Sequence, residues 1–281
     1  MTHNPFDRSG LASLDDLSTP LWHSLFSRLE SIQGQFLAAE PHSPNYPWPR
    51  DPLHTSTRIW EYPFVYHNLR RWLSQLPDGP VPWVLDLGSG ATFFPLEVAN
   101  LGCRVTPCDV DASPASAYQK AASLISSPRG SIDFATASAL ALPFPNGSLD
   151  GVYCISVLEH IPEFPEVISE VARVLRCGGL FILTVDVALN DHIGLGPLSF
   201  QLLRSTLGRS FNLLHPETTV HPLKVLTLDN GPYPWYPQTS LYAARFHIRQ
   251  AVQSAMRLVN PNLPSLQRMN LTSYGAVLVK I

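Results

Sequence analysis

The spacing of apolar residues changes several times along the chain, and each change marks an element. Leu21, Trp22, Leu25, Phe26 and Leu29 recur at helical spacing and predict one amphipathic helix. Ala39 to Pro52 then holds five prolines in fourteen residues, which predicts an extended loop. A second helical face follows Pro63, through Phe64, Val65, Leu69, Trp72, Leu73 and Leu76, and Pro80 and Pro82 end it. From there the pattern shortens. Trp83 to Leu87 is a strand-length apolar run broken by Gly88-Ser89-Gly90, and a helix through Leu96, Val98 and Leu101 stops at Gly102, a C′ glycine. Arg104 to Asp109 reads as a second strand made irregular by Pro107. Ser113-Pro114 starts a helix that reaches about Ile125.

Short strands follow near Ile132–Phe134 and at Leu149–Ile155. Phe164, Val167, Ile168, Val171, Val174 and Leu175 form a helical stripe closed by Gly178-Gly179, and Leu180 to Asp186 is a fifth strand. Strand and helix thus alternate five times between Pro82 and Asp186, the pattern of a parallel sheet with helices on both faces. Beyond it, Leu198–Leu207 and Ser240–Leu258 look helical, and Tyr274–Ile281 reads as a strand joining the sheet edge. No internal repeat stands out.

Composition narrows the class. Of 281 residues, 45% are hydrophobic and 10% aromatic, enough for a packed core, so 27 prolines beside only 15% charge do not signal disorder. Net charge is −3 with no basic stripe, which disfavours a nucleic-acid partner. The N-terminus lacks a secretory pattern and no apolar run is long enough to span a bilayer, so a cytoplasmic location without membrane contact is expected. The four cysteines, Cys103, Cys108, Cys154 and Cys177, form no CxxC pair and no metal-ligand spacing with histidine, and are expected reduced, with no metal.

The chemistry begins at Asp86-Leu87-Gly88-Ser89-Gly90. A glycine turn between strand and helix lets backbone approach a ligand closely. Asp109, at the end of the next strand, can accept from both hydroxyls of a ribose. The dinucleotide fingerprint needs a third glycine where this chain has Phe93, and Asp86 would repel a pyrophosphate. A nucleoside ligand with a cationic end, such as S-adenosylmethionine (SAM), fits better.

Val84 to Asp186 resembles the class I SAM-dependent methyltransferases, most closely the group called methyltransferase type 11. Five ordered segments carry the resemblance: Val84–Gly90, Cys108–Asp111, Leu142–Asp150, Val157–Ile161 and Ala172–Gly179. The resemblance implies a Rossmann-like, mostly parallel seven-stranded sheet with an antiparallel last strand, helices on both faces, and SAM as cofactor. It implies that Asp86, Gly88, Ser89 and Gly90 hold the methionine portion, that Asp109 holds the ribose, and that Val110 and Ile155 line the nucleoside. Ser138 and Ala139 stand in the adenine segment, where Ser138 replaces the family's aspartate with a shorter, weaker acceptor. Thr92 replaces the third glycine of the family's first loop.

Methyl transfer from a sulfonium is an in-line displacement that needs alignment, and a base only when the acceptor must lose a proton. The fourth strand ends in Ile155-Ser156-Val157-Leu158, without the Asn/Asp-Pro-Pro-Tyr/Phe motif of nucleic-acid amino methylases. Cys154 lies inside that strand, not in a nucleophile loop, and no metal-binding carboxylate of the catechol type is present at its end. A small-molecule acceptor is expected. Intramolecular cyclisation, aminocarboxypropyl transfer or non-catalytic SAM binding are the alternatives on this scaffold.

His160, Glu61 and Tyr62 are the candidate catalytic residues: His160 as a base or acceptor contact, or else a capping or packing histidine, while Arg58, Glu61 or Tyr62 could touch the methionine end of the cofactor or the acceptor. Helix packing would explain the last three equally. His221-Pro222 and Gly231–Pro237 read as an aromatic wall or a static loop. The expected organisation is an N-terminal helical cap with a Pro-rich loop over 1–79 and a SAM-binding domain over 80–281. The latter divides into a core at 82–187, a substrate-side addition at 188–270 and a closing strand at 274–281. Oligomeric state is not legible.

Overall fold

A computed structural model describes residues 4–39, 41–43, 46–190, 194–235, 239–259 and 270–281. In chain order the elements are β1 (Ser9–Leu11), α1 (Pro20–Ala38), α2 (Arg58–Gln75), β2 (Trp83–Leu87), α3 (Phe94–Asn100), β3 (Arg104–Asp109) and α4 (Pro114–Lys120). They continue as β4 (Ser131–Ile132), β5 (Ala135–Thr136), β6 (Leu149–Ile155), α5 (Phe164–Val174), β7 (Leu175–Ala188), α6 (Pro197–Ser210), β8 (Phe211–Leu213), β9 (Glu217–Thr218), α7 (Ser240–Val259) and β10 (Leu271–Lys280).

The sheet has ten strands among the described residues, not the seven the resemblance implies. Its order is β4-β3-β2-β6-β7-β10-β1-β9, with β5 also on β3 and β8 also on β10. β10 runs antiparallel to β7, as expected, from Leu271 opposite Ala188 to Val279 opposite Leu180. It is not an edge strand. β1 pairs with its first half through Gly10 and Leu11, and β8 with its last residues through Leu278 to Lys280. The extra strands thus come from segments flanking the core, two or three residues each, too short to carry a periodicity.

Local details follow from residue chemistry. Pro107 lies inside β3, and its missing N–H faces the β4/β5 side. There the partner splits: β4 pairs with Arg104 and Val105, β5 with Cys108 and Asp109, and nothing pairs opposite the proline. Pro63 does not start the second helix; α2 begins five residues earlier at Arg58 and carries the proline in its interior. The carbonyl of Ile59, which Pro63 cannot satisfy, accepts instead from Trp22 Nε1 at 2.8 Å. This bond joins α1 to α2. Gly178-Gly179 does not close a helix either. α5 ends at Val174, and the glycines lie in a bulge where the register jumps from Leu149/Leu175 to Gly151/Leu180.

Two cores sandwich the sheet. Trp60, Phe64, Tyr66, Phe93, Phe94 and Tyr153 pack under α1–α3 on one face, with Trp60 stacked on Phe64 at 4.7 Å between ring centroids. Leu85, Val152, Ile168, Leu183 and Val185 pack under α5 and α6 on the other. Cys103, Cys108 and Cys154 are buried and Cys177 is exposed, all as free thiols.

Candidate functional site

The C-terminal ends of β2, β3, β6 and β7 open on one cleft, the place where open α/β sheets bind ligands. On one side lies the glycine turn. Gly88 and Gly90 have φ of 75° and 52°, a conformation that favours glycine. A Cβ on Gly88 would fall 2.5 Å from Val157 Cγ2, so the backbone of the loop after β2 packs directly on a side chain of the loop after β6. Asp109 Oδ2 accepts the Gly90 N–H at 2.9 Å and Oδ1 the Asp111 N–H at 3.0 Å, which fixes the carboxylate at the end of β3. Burial, with the Asp109 carboxylate nearby, pushes the Asp86 carboxyl well above its ordinary range. Val110, next to Asp109, is 78% exposed, an apolar surface facing the opening. Tyr118 Oη braces the turn by donating to the Gly90 carbonyl at 2.7 Å.

On the other side lies a cluster of acids around one guanidinium. Glu61 is fully buried and its two oxygens accept five bonds. Oε2 takes Arg58 Nη1 at 2.6 Å, Ser156 Oγ at 2.7 Å and Thr184 Oγ1 at 2.9 Å. Oε1 takes Thr57 Oγ1 at 3.0 Å and Ser273 Oγ. Arg58 Nη1 also donates to Ser156 Oγ. This network holds Ser156 in the left-handed region, φ 49°, rare for a residue with a Cβ, and so turns the chain sharply out of β6. The turn brings Glu159 back onto β7, where its Oε1 accepts the Asp186 N–H at 3.2 Å. Glu159 Oε2 is buried with no hydrogen-bond partner among the described residues. Burial and the neighbouring Asp186 push Glu159 well above the usual carboxylate range, and burial lifts Asp186 to about 6, against the pull of Arg58. Three carboxylates face one guanidinium.

The Pro-rich loop spans both sides. Tyr46 Oη accepts the Ala91 N–H at 2.9 Å, and His42 Nε2 lies 2.9 Å from the Ala91 carbonyl. Trp48, further along the loop, sets its ring 6.4 Å from that of His160.

Asp86, Gly88, Ser89, Gly90, Asp109 and Val110 converge on the glycine-turn side. Ser138, exposed, spends its Oγ accepting the Leu140 N–H at 3.2 Å. Ala139 and Ile155 are half-buried beside it and at the end of β6. Arg58 faces the acid cluster. Glu61, expected as an acceptor contact, has its oxygens committed to five protein donors and ties α2 to β6, β7 and β10 instead. Tyr62 is buried against Phe93 and Phe94, with its hydroxyl in electrostatic reach of Arg58, Asp86, Glu61 and Tyr46, the groups of both sides of the cleft. His160 is exposed, and burial of part of its ring together with Arg58 lowers its pKa, leaving it neutral at pH 7. Glu159, Asp186, Tyr46 and Trp48 carried signals of their own: acids beside His160 and at a strand end, aromatics between prolines. Tyr236 and Pro237 of the aromatic stretch lie outside the described residues.

Residues 85–183 match the family described as "Methyltransferase domain". Over 177 residues the chain is 30% identical to sterol 24-C-methyltransferase ERG6B of Gibberella zeae, covering 54% of this chain and 44% of that protein. Over 112 residues it is 31% identical to O-methyltransferase resE of Aspergillus sclerotiorum, covering 39% and 41%. The chain thus spans less than half the length of these relatives. A Galdieria sulphuraria structure named for sarcosine dimethylglycine methyltransferase shares the fold, with a TM-score of 0.50 and 16% identity over 79% of this chain and 84% of that one. Residues 85–183 thus resemble the domain of the SAM-dependent methyltransferase class.

The cofactor of that class suits what is present. Gly88 and Gly90 hold the turn at positive φ without a side chain, Asp109 presents a fixed acceptor where the resemblance expects the ribose, and Val110 is an exposed apolar side chain beside it. The buried, cation-seeking Asp86 suits the positively charged methionine end.

Proposed function

We propose that this chain transfers the methyl group of SAM to a small organic acceptor, and that the acceptor sits between the glycine turn and the Glu159–Asp186 pair. When bound, SAM supplies a methyl group on a cationic sulfur, a leaving group that departs as a neutral thioether and needs no metal to do so. The observation that carries the reading is the pairing of the Gly88–Gly90 cradle with the fixed Asp109 carboxylate, next to buried acid that only positive charge would discharge. Gly88, Gly90 and Asp109 bind and orient the nucleoside; Asp86 and the acid cluster offset the sulfonium's charge.

Once the incoming positive charge has driven off the proton that burial keeps on Glu159, its Oε2, unpartnered among the described residues, receives the proton of a hydroxyl or amine acceptor as the new bond to carbon forms. His160 and Trp48 border the opening as neutral rings that suit a flat or apolar molecule. The names of the relatives, sterol and O-methyltransferases, support an acceptor of this class. The test is incubation with SAM and a panel of sterols and phenols, followed by mass spectrometry. Methylated product with one S-adenosylhomocysteine per turnover supports the reading. S-adenosylhomocysteine without methylated product, or methylthioadenosine, points to another SAM reaction.

A further inference from the structure

The chain between Trp235 and Leu271 leaves and rejoins the fold at the cleft end of the sheet. Trp235 N–H donates to the Leu228 carbonyl at 2.9 Å, Leu228 N–H donates to the Leu271 carbonyl at 3.2 Å, and Leu271 pairs with Ala188 at the end of β7. Within this excursion lies α7, twenty residues long. From Ala244 to Leu258 all its side chains are exposed or half-buried. Ile248, Val252 and Met256, one turn apart, are 64%, 55% and 55% exposed. At helical spacing they share with Ala244, Ala251, Ala255 and Leu258 an apolar arc of roughly 160°. Arg245 lies within the arc, between Val252 and Met256, Arg249 borders it on that side, and His247 borders it on the other. α7 holds three arginines and no acid in a chain of net charge −3, so positive charge is concentrated here while the remainder is acidic.

A continuous apolar stripe of this size on a free surface marks an interaction site. Its arginine margin selects the partner. A second copy packed symmetrically on this face would add its own Arg245 and Arg249 to the same interface, with no acid on α7 to pair with them. A surface of negative charge over an apolar layer meets both requirements at once. No helix among the described residues is long and apolar enough to cross a membrane, so the contact is one of lying on the surface.

We propose that α7 docks the protein on membranes rich in anionic phospholipid, with Ile248, Val252 and Met256 in the acyl boundary and Arg245 and Arg249 on lipid phosphates. The described residues on either side of this stretch, Trp235 and Leu271, both lie at the cleft end of the sheet. The inference does not depend on methyl transfer.

The test is co-sedimentation of the full chain with phosphatidylcholine vesicles, with and without phosphatidylserine. The protein pellets with the phosphatidylserine vesicles and at least about tenfold less with phosphatidylcholine alone. Arg245→Gln and Arg249→Gln each weaken binding about fivefold, and added salt does the same. Ile248→Asp with Val252→Asp abolishes it while leaving the thermal midpoint and SAM titration unchanged. Failure of the wild type to pellet with phosphatidylserine overturns the proposal. So does equal pelleting by the Ile248→Asp/Val252→Asp variant. A drop in its thermal midpoint, showing the face packed on the chain itself, or a wild-type dimer that this variant dissolves, overturns it as well.

Discussion

The glycine turn and the acid cluster face each other across one cleft but are built on different principles. The turn is made by neighbours in sequence: Gly88, Gly90 and Ala91 shape the backbone, and a single carboxylate, Asp109, braces it. The cluster is made by residues from α2, β6, β7 and β10, among them Glu61, Ser156, Thr184 and Ser273, which meet only in the folded chain. Removing a side chain from the first should therefore weaken ligand binding while the fold stands. Removing one from the second should damage the fold itself.

The largest effect expected is at Glu61. Glu61→Leu strands Arg58 and four hydroxyls in the interior and should lower stability by about 3–5 kcal/mol, read by chemical denaturation. A loss below 1 kcal/mol, with SAM affinity alone reduced, would erase the contrast between the two sides.

Asp186 comes next and acts through pH. Its folded pKa, about 6, lies above the ordinary 3.8, so the folded state holds a proton that the unfolded chain has released. Stability of the ligand-free protein should fall as pH rises from about 4 to about 6, by on the order of 3 kcal/mol, and level off above. Glu61 has the opposite sign: donors and Arg58 lower its pKa, so its contribution is lost only as pH drops below the ordinary glutamate range. Asp186→Asn keeps a partner for Ser273 and should flatten the slope between pH 4 and 6. An unchanged slope would assign it to Glu159, which shifts the same way.

The smallest effect belongs to Tyr46, the link from the Pro-rich loop to the glycine turn. Tyr46→Phe removes the acceptor of the Ala91 N–H and should weaken SAM binding by about 1 kcal/mol with little change in the thermal midpoint. A larger loss in stability than in affinity would make the loop a structural strap.

The same contrast explains what was legible in the sequence. Strands β2, β3, β6 and β7 and the Asp86–Gly90 and Asp109 pair could be read because turn chemistry and periodicity are local. The cluster could not. Glu61 looks alike whether it meets a substrate or five hydrogen-bond donors, and the serine and threonine that decide the matter lie about a hundred residues away or more. Pro63 misled for a related reason. A proline inside a helix is tolerable only because Trp22, on another helix, takes over the orphaned Ile59 carbonyl. β1, β8 and β9 are not legible because two or three residues carry no pattern; β10 supplies the partner that β1 and β8 need, and β1 the partner of β9.

The central claim is that the glycine turn and the acid cluster together hold SAM. Calorimetric titration with SAM in two buffers of different ionisation enthalpy tests it directly. Binding should be accompanied by proton release, as the incoming positive charge ionises Glu159, Asp186 or Asp86. Asp109→Ala should lower the affinity by roughly 1–3 kcal/mol, with proton release unchanged. Absence of binding, or unaltered affinity in Asp109→Ala, would contradict it.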